Sequence, residues 1–332
     1  MTYAPSRDFA DLLRVLLLSK GRHGDAELWA AHAGANVQAL VKAASDVAEL
    51  TAENTPGLVS AAAPFLEAIA NASILDRWLA DGVVTMPYAP PGPSALIATQ
   101  IVAGGAVSEA APKPVGELHL AENLVRSKAA VLVVMSQELA RTPRGGPAAE
   151  QQLRASLVSA LNSAVADMLL AEYALTTLTA SGSTAADVLA DLGDAASALG
   201  ATDRSRLYLL VSPDTLLRLA FMAGTSGPAF LDLGATGGAI QSVPVLAAAS
   251  LGGSSPVTAL LVDGARIAVA DGGLALSTAT HASLELDDSP SGPAVFNLWQ
   301  RNCVGLRAER PFAIGAGADT SSSPAVAITG AW

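Results

Sequence analysis

Between residues 25 and 50 the apolar positions Trp29, Val37, Leu40, Val41, Ala44 and Val47 recur at the spacing of one helical face, with Gly24 and Asp25 suited to its start. The pattern predicts an amphipathic helix. A second helical pattern begins at Pro64, acceptable in a first turn, runs through Leu66, Ile69, Ile74 and Leu79, and is closed by Gly82. A third, over residues 148–178, places Leu153, Leu157, Leu161, Val165, Met168, Leu169 and Leu175 along one broad face. Its length, roughly 40 Å or more at 1.5 Å per residue, predicts a structural spine. Between the second and third helices the texture changes. No charge occurs from Gly82 to Ser108, four prolines interrupt the run, and the chain returns through EAAPKPVGELHLAENLVRSKAAVLVVMS. This predicts an extended excursion, outward along residues 83–107 and back along 117–135. An isolated two-stranded hairpin is marginal in water, and this one has few polar residues to solvate it, so it needs a partner surface.

After residue 183 the pattern alternates. A helix is predicted over residues 185–199, ended by Gly200, then a strand at RLYLLV. A capped helix follows in SPDTLLRLAFMAG, with Ser212 as cap, Pro213 in the first turn, Asp214 at the positive end and Gly224 as terminator. Strands are predicted at SVPVLAA, TALLVDG, ARIAVAD, LALSTA, ASLELDD, within residues 297–314 and at AVAITGA. The charge-free run 233–262 is broken by Pro244, Pro256 and repeated Gly and Ser, which favours strands and turns over a membrane span. The fold class is α+β.

Composition adds three constraints. Hydrophobic residues make up 51% of the 332 positions but aromatics only 4%, so the core is built from small side chains, and the length suits two lobes. A net charge of −11 argues against a protein whose main task is gripping nucleic acid, since that affinity comes from Lys and Arg neutralising phosphates. The lone Cys303 excludes an internal disulfide framework and fits a reducing cytoplasm, as a buried bystander rather than a reactive thiol. Near the start, Arg7, Asp8, Asp11 and Arg14 interrupt the apolar run that a secretory signal requires.

No catalytic constellation emerges. His23, His32, His119 and His281 lack a second ligand at zinc spacing, and GATGGAI and AGGAVS lack the Walker lysine or the full dinucleotide spacing. No G-x-S-x-G elbow is present, Cys303 has no nearby His in sequence, and Asp263 and Asp271 stand at glycine-containing turns. The reading is therefore a non-enzyme with no cofactor and no metal. The charged stretch NLWQRNCVGLRAERPFAI has the period of a half-buried strand: Val304, Leu306 and Ala308 alternate with Gly305, Arg307 and Glu309, with Arg301 and Arg310 flanking. In a monomer this polar face is solvated. Among copies of the chain, arginine suits bidentate contacts across an interface.

Taken in order, SEAAPKPVGELHL, VMSQELARTP, YLLVSPDTLLRLA, ARIAVADGG, NLWQRNCVGLRAERPFAI and AVAITGAW resemble a tailed-bacteriophage major capsid protein of the Hong Kong 97 fold, over most of residues 60–332. The resemblance implies an N-terminal arm and helix (1–60), a peripheral domain (61–82, 127–182 and 291–332) containing the spine helix, an extended loop (83–126) lying across the neighbouring subunit, and an axial domain (183–290). It implies self-assembly into pentamers and hexamers of an icosahedral head, with double-stranded DNA packaged nearby but not specifically bound, in a virion assembled in the bacterial cytoplasm. Portal and scaffolding proteins are implied partners, with room for a decoration protein and no role for a membrane. Expected inter-subunit contacts are Met86, Tyr88, Leu96, Ile97, Ile101, Lys113, Arg301, Arg307, Glu309 and Arg310.

Some family members crosslink a loop lysine to an asparagine with help from a glutamate. Lys113, Asn302 and Glu309 are the candidates, and an ordinary ion-pairing role for Lys113 is the competing reading. Many relatives carry a cleaved scaffolding segment before the arm; here no cleavage of the chain is expected. An encapsulin-like compartment or gene-transfer-agent shell is the neighbouring alternative, and a soluble α+β enzyme is the alternative from another class.

Overall fold

The computed structural model describes residues 7–44, 48–51, 55, 58, 62–63, 65, 72–88, 97–98, 120–121, 124–203, 205–224, 227–253, 256–285, 295–316, 323–330 and 332. The architecture is α+β, and the chain divides into two compact units: residues 1–71, 128–160 and 273–311, and residues 72–127, 161–272 and 312–332.

The first unit starts with a helix, Arg7–Ser19, absent from the sequence expectation. Phe9, Leu12, Leu13, Leu16 and Leu17, at helical spacing, are all buried, and Phe9 stacks on Phe65 with ring centroids 4.6 Å apart. The single helix expected over residues 25–50 is instead two, His23–Ala30 and Ala35–Ala43. The first ends at Ala30, Gly34 is extended (φ −64°, ψ 157°) as the N-cap of the second, and Ala44 is extended (ψ 128°) after it. Leu50 then pairs with Leu276 in a strand, so the helical spacing of the apolar residues outlives the helix. Gly146, in the first turn of the Gly145–Glu172 helix, lies against the backbone of the first helix, and a Cβ there would collide with the Ala10 carbonyl. Only glycine permits that approach.

The spine helix, Gly145–Glu172, is 28 residues long; it begins close to the expected start but stops well short of residue 178, because Thr176–Thr179 is a strand, so Leu175 lies beyond its end. It is long and apolar enough by composition to cross a membrane. However, Leu153, Leu157, Leu161, Val165 and Leu169 are buried in the protein's own interior together with the polar Glu150 and Asn162.

The second unit is organised on a seven-stranded sheet in the order Leu233–Gly234, Gly237–Ile240, Val243–Ala247, Leu207–Val211, Val257–Asp263, Ala325–Thr329 and Thr176–Thr179. The run expected to be strands and turns across residues 233–262 is so. Residues 325–329 and 176–179, assigned from sequence to the peripheral domain, are strands of this sheet. One face carries Leu209, Val211, Ala259, Leu261, Val326 and Ile328 against Val188, Ala195, Leu216 and Leu219 of the helices Ala185–Ala198 and Pro213–Ala220. The other face is buried as well, at Tyr208, Leu210, Leu260 and Val262, which is why these strands read as unbroken apolar runs.

Two of the expected caps are present: Ser212 Oγ accepts from the Thr215 amide at 3.1 Å, and Gly200 (φ +61°) takes the left-handed turn after the first helix. Thr184 and Asp187 add a reciprocal capping box at the start of that helix, absent from the sequence expectation. The second ends at Ala220 rather than Gly224, because Ala223 and Gly224 turn back to pair with Pro228 and Gly227.

Two buried polar groups hold this unit together. Asn162 on the spine helix accepts from the Ile74 amide at 2.8 Å and donates to the carbonyls of Ala72 (2.9 Å) and Ala247 (2.8 Å). Asp191 accepts from the Ser181 amide at 3.0 Å and from the indole of buried Trp332 at 2.7 Å. Burial alone would raise the Asp191 carboxyl; the hydrogen bonds from Ser181 and Trp332 outweigh it and hold the group below the ordinary aspartate value. A lowered folded value means stability that is fully present above the unfolded value, ~3.9, and lost as pH falls from there through the folded value. Urea midpoints measured between pH 7 and pH 3 are therefore expected to fall more steeply in the acid limb for the native chain than for Asp191→Asn.

Candidate assembly surface

The charged stretch runs from the end of the strand Val295–Asn297 through a turn at residues 298–302 into a long strand, Cys303–Ala316. Within the first unit its residues 305–309 pair antiparallel with Ala275–Ala279, from Gly305 opposite Ala279 to Glu309 opposite Ala275. The strand Val125–Ser136 also pairs with it. Within the second unit residues 312–316 pair with Ile267–Asp271.

As the period-two pattern requires, Val304, Leu306 and Ala308 are buried and Arg307 is exposed. Arg307 Nε donates to Ser277 Oγ at 2.9 Å, and its terminal nitrogens lie 3.4 Å from Glu309 and 3.9 Å from Glu49. Lys128 Nζ approaches the same Glu309 oxygen at 3.5 Å. Arg307 and Glu309 thus have partners in their own chain. Each such solvent-exposed pair contributes ~0–1 kcal/mol, so the network remains free to exchange for better-desolvated partners.

Arg310 departs from expectation. It does not flank the polar face: it is 1% exposed, on the inward parity of Val304, Leu306 and Ala308. A charge there serves the interior of its own subunit and is withdrawn from any contact surface. Arg301 lies over the Phe296 ring, 4.6 Å from its centroid, beside Trp299, which is 68% exposed. Cys303 is half-buried, with Sγ 3.3 Å from the Arg301 carbonyl.

Asn302 has a conformational role that the sequence did not reveal. It sits at φ +51°, a left-handed position that Asn tolerates better than most residues. Its amide donates to Trp299 O at 3.2 Å, and its carbonyl accepts from the Gln137 amide at 2.9 Å. Roughly 20 Å of extended strand, at about 3.3 Å per residue, separates it from Glu309, so the two do not meet within one chain.

The extended excursion is rooted in the second unit, where Val84–Pro87 pairs in parallel with residues 268–271. Further out, Ile97 and Ala98 lie opposite Ala121 and Leu120 in an antiparallel ladder, and Arg126 approaches the Tyr88 ring, 5.9 Å from its centroid. Outward and return limbs therefore run side by side where they are described. Leu96, Ile101 and Lys113 lie outside the described residues, as do the side chains of Met86 and Ile97.

Apolar surface is exposed on both units. The outer face of Val125–Ser136 presents Ala130, Leu132 and Val134; Trp29 and Trp299 are exposed on the first unit, and Phe221 (79%) and Leu231 (85%) on the second. Its other two tryptophans, Trp78 and Trp332, are buried in the second unit.

Two polar clefts went unread in the sequence. In the second unit, a cleft of about 570 Å³ is lined by Arg77, Asp81, Arg206, Tyr208, Gln241 and Ser242. There Asp81 accepts from Arg77 Nε (2.9 Å) and Tyr208 OH (2.8 Å), while Arg206 donates to the Asp81 carbonyl. Burial first, and then the neighbouring Asp81 carboxylate, raise the Tyr208 phenol, keeping it a neutral donor. In the first unit, a cleft of about 450 Å³ brings together Lys20, Arg22, Asp25, Gln137, His281 and Asn302, with Trp299 also lining it.

No family model matches the chain. A capsid polyprotein of Pseudomonas phage PAJU2 is 29% identical to it over 273 residues, which is 75% of this chain and 41% of that relative. The chain is similar to a phage capsid polyprotein. It spans about two-fifths of that relative's length. Among solved structures, one from Gordonia phage Cozz has a TM-score of 0.44 at 14% identity, covering 78% of this chain and 86% of its own. The capsid of an empty GTA particle has a TM-score of 0.42 at 16% identity, covering 79% and 90%. These two likenesses are too loose to place residues; the sequence likeness agrees with the capsid resemblance of the ordered motifs.

Proposed function

We propose that this chain is a major capsid protein of the Hong Kong 97 type, which assembles through pentamers and hexamers into the icosahedral head of a tailed phage around double-stranded DNA. The observation that carries this reading is the likeness to a capsid polyprotein over 75% of the chain. The role is structural rather than catalytic.

The division we propose has an arm and helix in residues 1–60 and an extended loop in 83–126 lying over a neighbouring copy. The axial domain is residues 183–290 joined by the strands Thr176–Thr179 and Ala325–Thr329, and the remainder is peripheral. Portal and scaffolding proteins, and a decoration protein where one exists, are the partners this reading implies, with the virion as location. The exposed Phe221, Leu231 and Trp299 support it, because large apolar side chains held in water favour burial against another copy. So does the net charge of −11, which suits a wall past which DNA must move.

The recombinant chain is expected to form megadalton closed shells by sedimentation and electron microscopy, and deletion of residues 89–119 to leave unassembled subunits. A native chain that stays a monomer or small oligomer at high concentration removes the reading.

A further inference from the structure

The cleft in the first unit is the feature that the fold does not explain. Lys20, Arg22 and His281 line it, and none of the three forms an ion pair among the described residues. Asp25 is the only carboxylate among the described lining residues, whereas Gln137 and Asn302 add polar atoms and Thr280 is buried at its wall. Two lining residues, Lys20 (φ +55°) and Asn302 (φ +51°), hold left-handed backbone conformations, of which the one at Lys20 is disfavoured for a long side chain. Two cations, Lys20 and Arg22, beside one carboxylate in a partly enclosed polar cleft suit an anion with oxygen acceptors.

The charge balance of the chain indicates which anion. Residues 1–71, 128–160 and 273–311 hold 14 acidic and 12 basic side chains; residues 72–127, 161–272 and 312–332 hold 16 and 7. Nearly all the surplus acid is therefore on the second unit. Where copies of one chain pack together, the counter-charge nearest to hand for a cationic cleft on one first unit is a carboxylate on another copy's second unit.

We propose that this cleft receives acidic side chains from the second unit of a neighbouring copy, with Lys20 and Arg22 as the cations that hold them. The inference rests on the capsid reading and assigns one of its inter-subunit contacts.

Particles assembled from a mixture of isotope-labelled and unlabelled chains and treated with a zero-length carbodiimide test it, since that reagent joins an amine only to a carboxylate in contact with it. Lys20 is expected in amide linkage to an Asp or Glu of residues 72–127, 161–272 or 312–332 of the oppositely labelled copy. A Lys20→Asn, Arg22→Gln double variant, in which Asn tolerates the left-handed position, is expected to leave about tenfold more free subunit at equal ionic strength. Particles in which Lys20 links only to Asp25 of its own copy, or stays unlinked while Lys42 and Lys128 react, overturn the proposal and leave the capsid reading standing. Lys20 shielded only in DNA-filled particles makes the occupant a phosphate and overturns it too. Absence of any particle removes both.

Discussion

Asn162→Leu lowers the unfolding free energy of the unassembled subunit by about 3–5 kcal/mol, read as a fall in urea midpoint with little change in slope. Leucine keeps the volume and helix propensity of the spine but makes none of the three hydrogen bonds. The Ile74 amide and the Ala72 and Ala247 carbonyls are then left facing an apolar side chain. Each buried group stripped of its partner costs ~1–3 kcal/mol, far more than a surface contact, and the three losses fall on one site. Asn162→Asp is the informative companion: it keeps the acceptor for Ile74 and loses the donors, so its cost isolates the two carbonyls. A midpoint unchanged in Asn162→Leu contradicts the hydrogen-bonded arrangement.

Arg310→Ala is the second large effect, about 3–5 kcal/mol of lost stability, because it deletes a buried cation and strands the groups that contact it. Arg310→Met, which keeps much of the volume, still strands those groups but leaves a smaller cavity and falls between alanine and the native chain. Equal losses for Arg310→Ala and for exposed Arg307→Ala contradict the buried placement.

These two residues also show where sequence reasoning stops. The inward parity of Arg310 was available from the alternation of Val304, Leu306 and Ala308, but a charged residue was placed outside by type. The stripe Phe9, Leu12, Leu13, Leu16 and Leu17 is as clear a helical signal as the chain contains, and Asp8, Asp11 and Arg14, the charges that interrupt the apolar run, are less buried positions of the same helix. Capping chemistry was read well at Ser212 and Gly200, because a cap is decided by neighbours within four residues. Long-range relations were not. The turn at Asn302 and the strand at Leu50 have partners far along the chain, Gln137 and Leu276. The cleft that joins Lys20 to His281 and Asn302 is likewise contained in no local window.

The placement of the tryptophans equips the protein with two separate optical signals. Trp78 and Trp332 sit in the dry interior of the second unit, whereas Trp29 and Trp299 stand in water on the first. Indole emission moves to longer wavelength as its surroundings become more polar. Melting of the second unit therefore shifts light to the red, while covering Trp299 shifts it to the blue, and the collapse of one body and the occlusion of the other can be followed in a single cuvette without any attached dye.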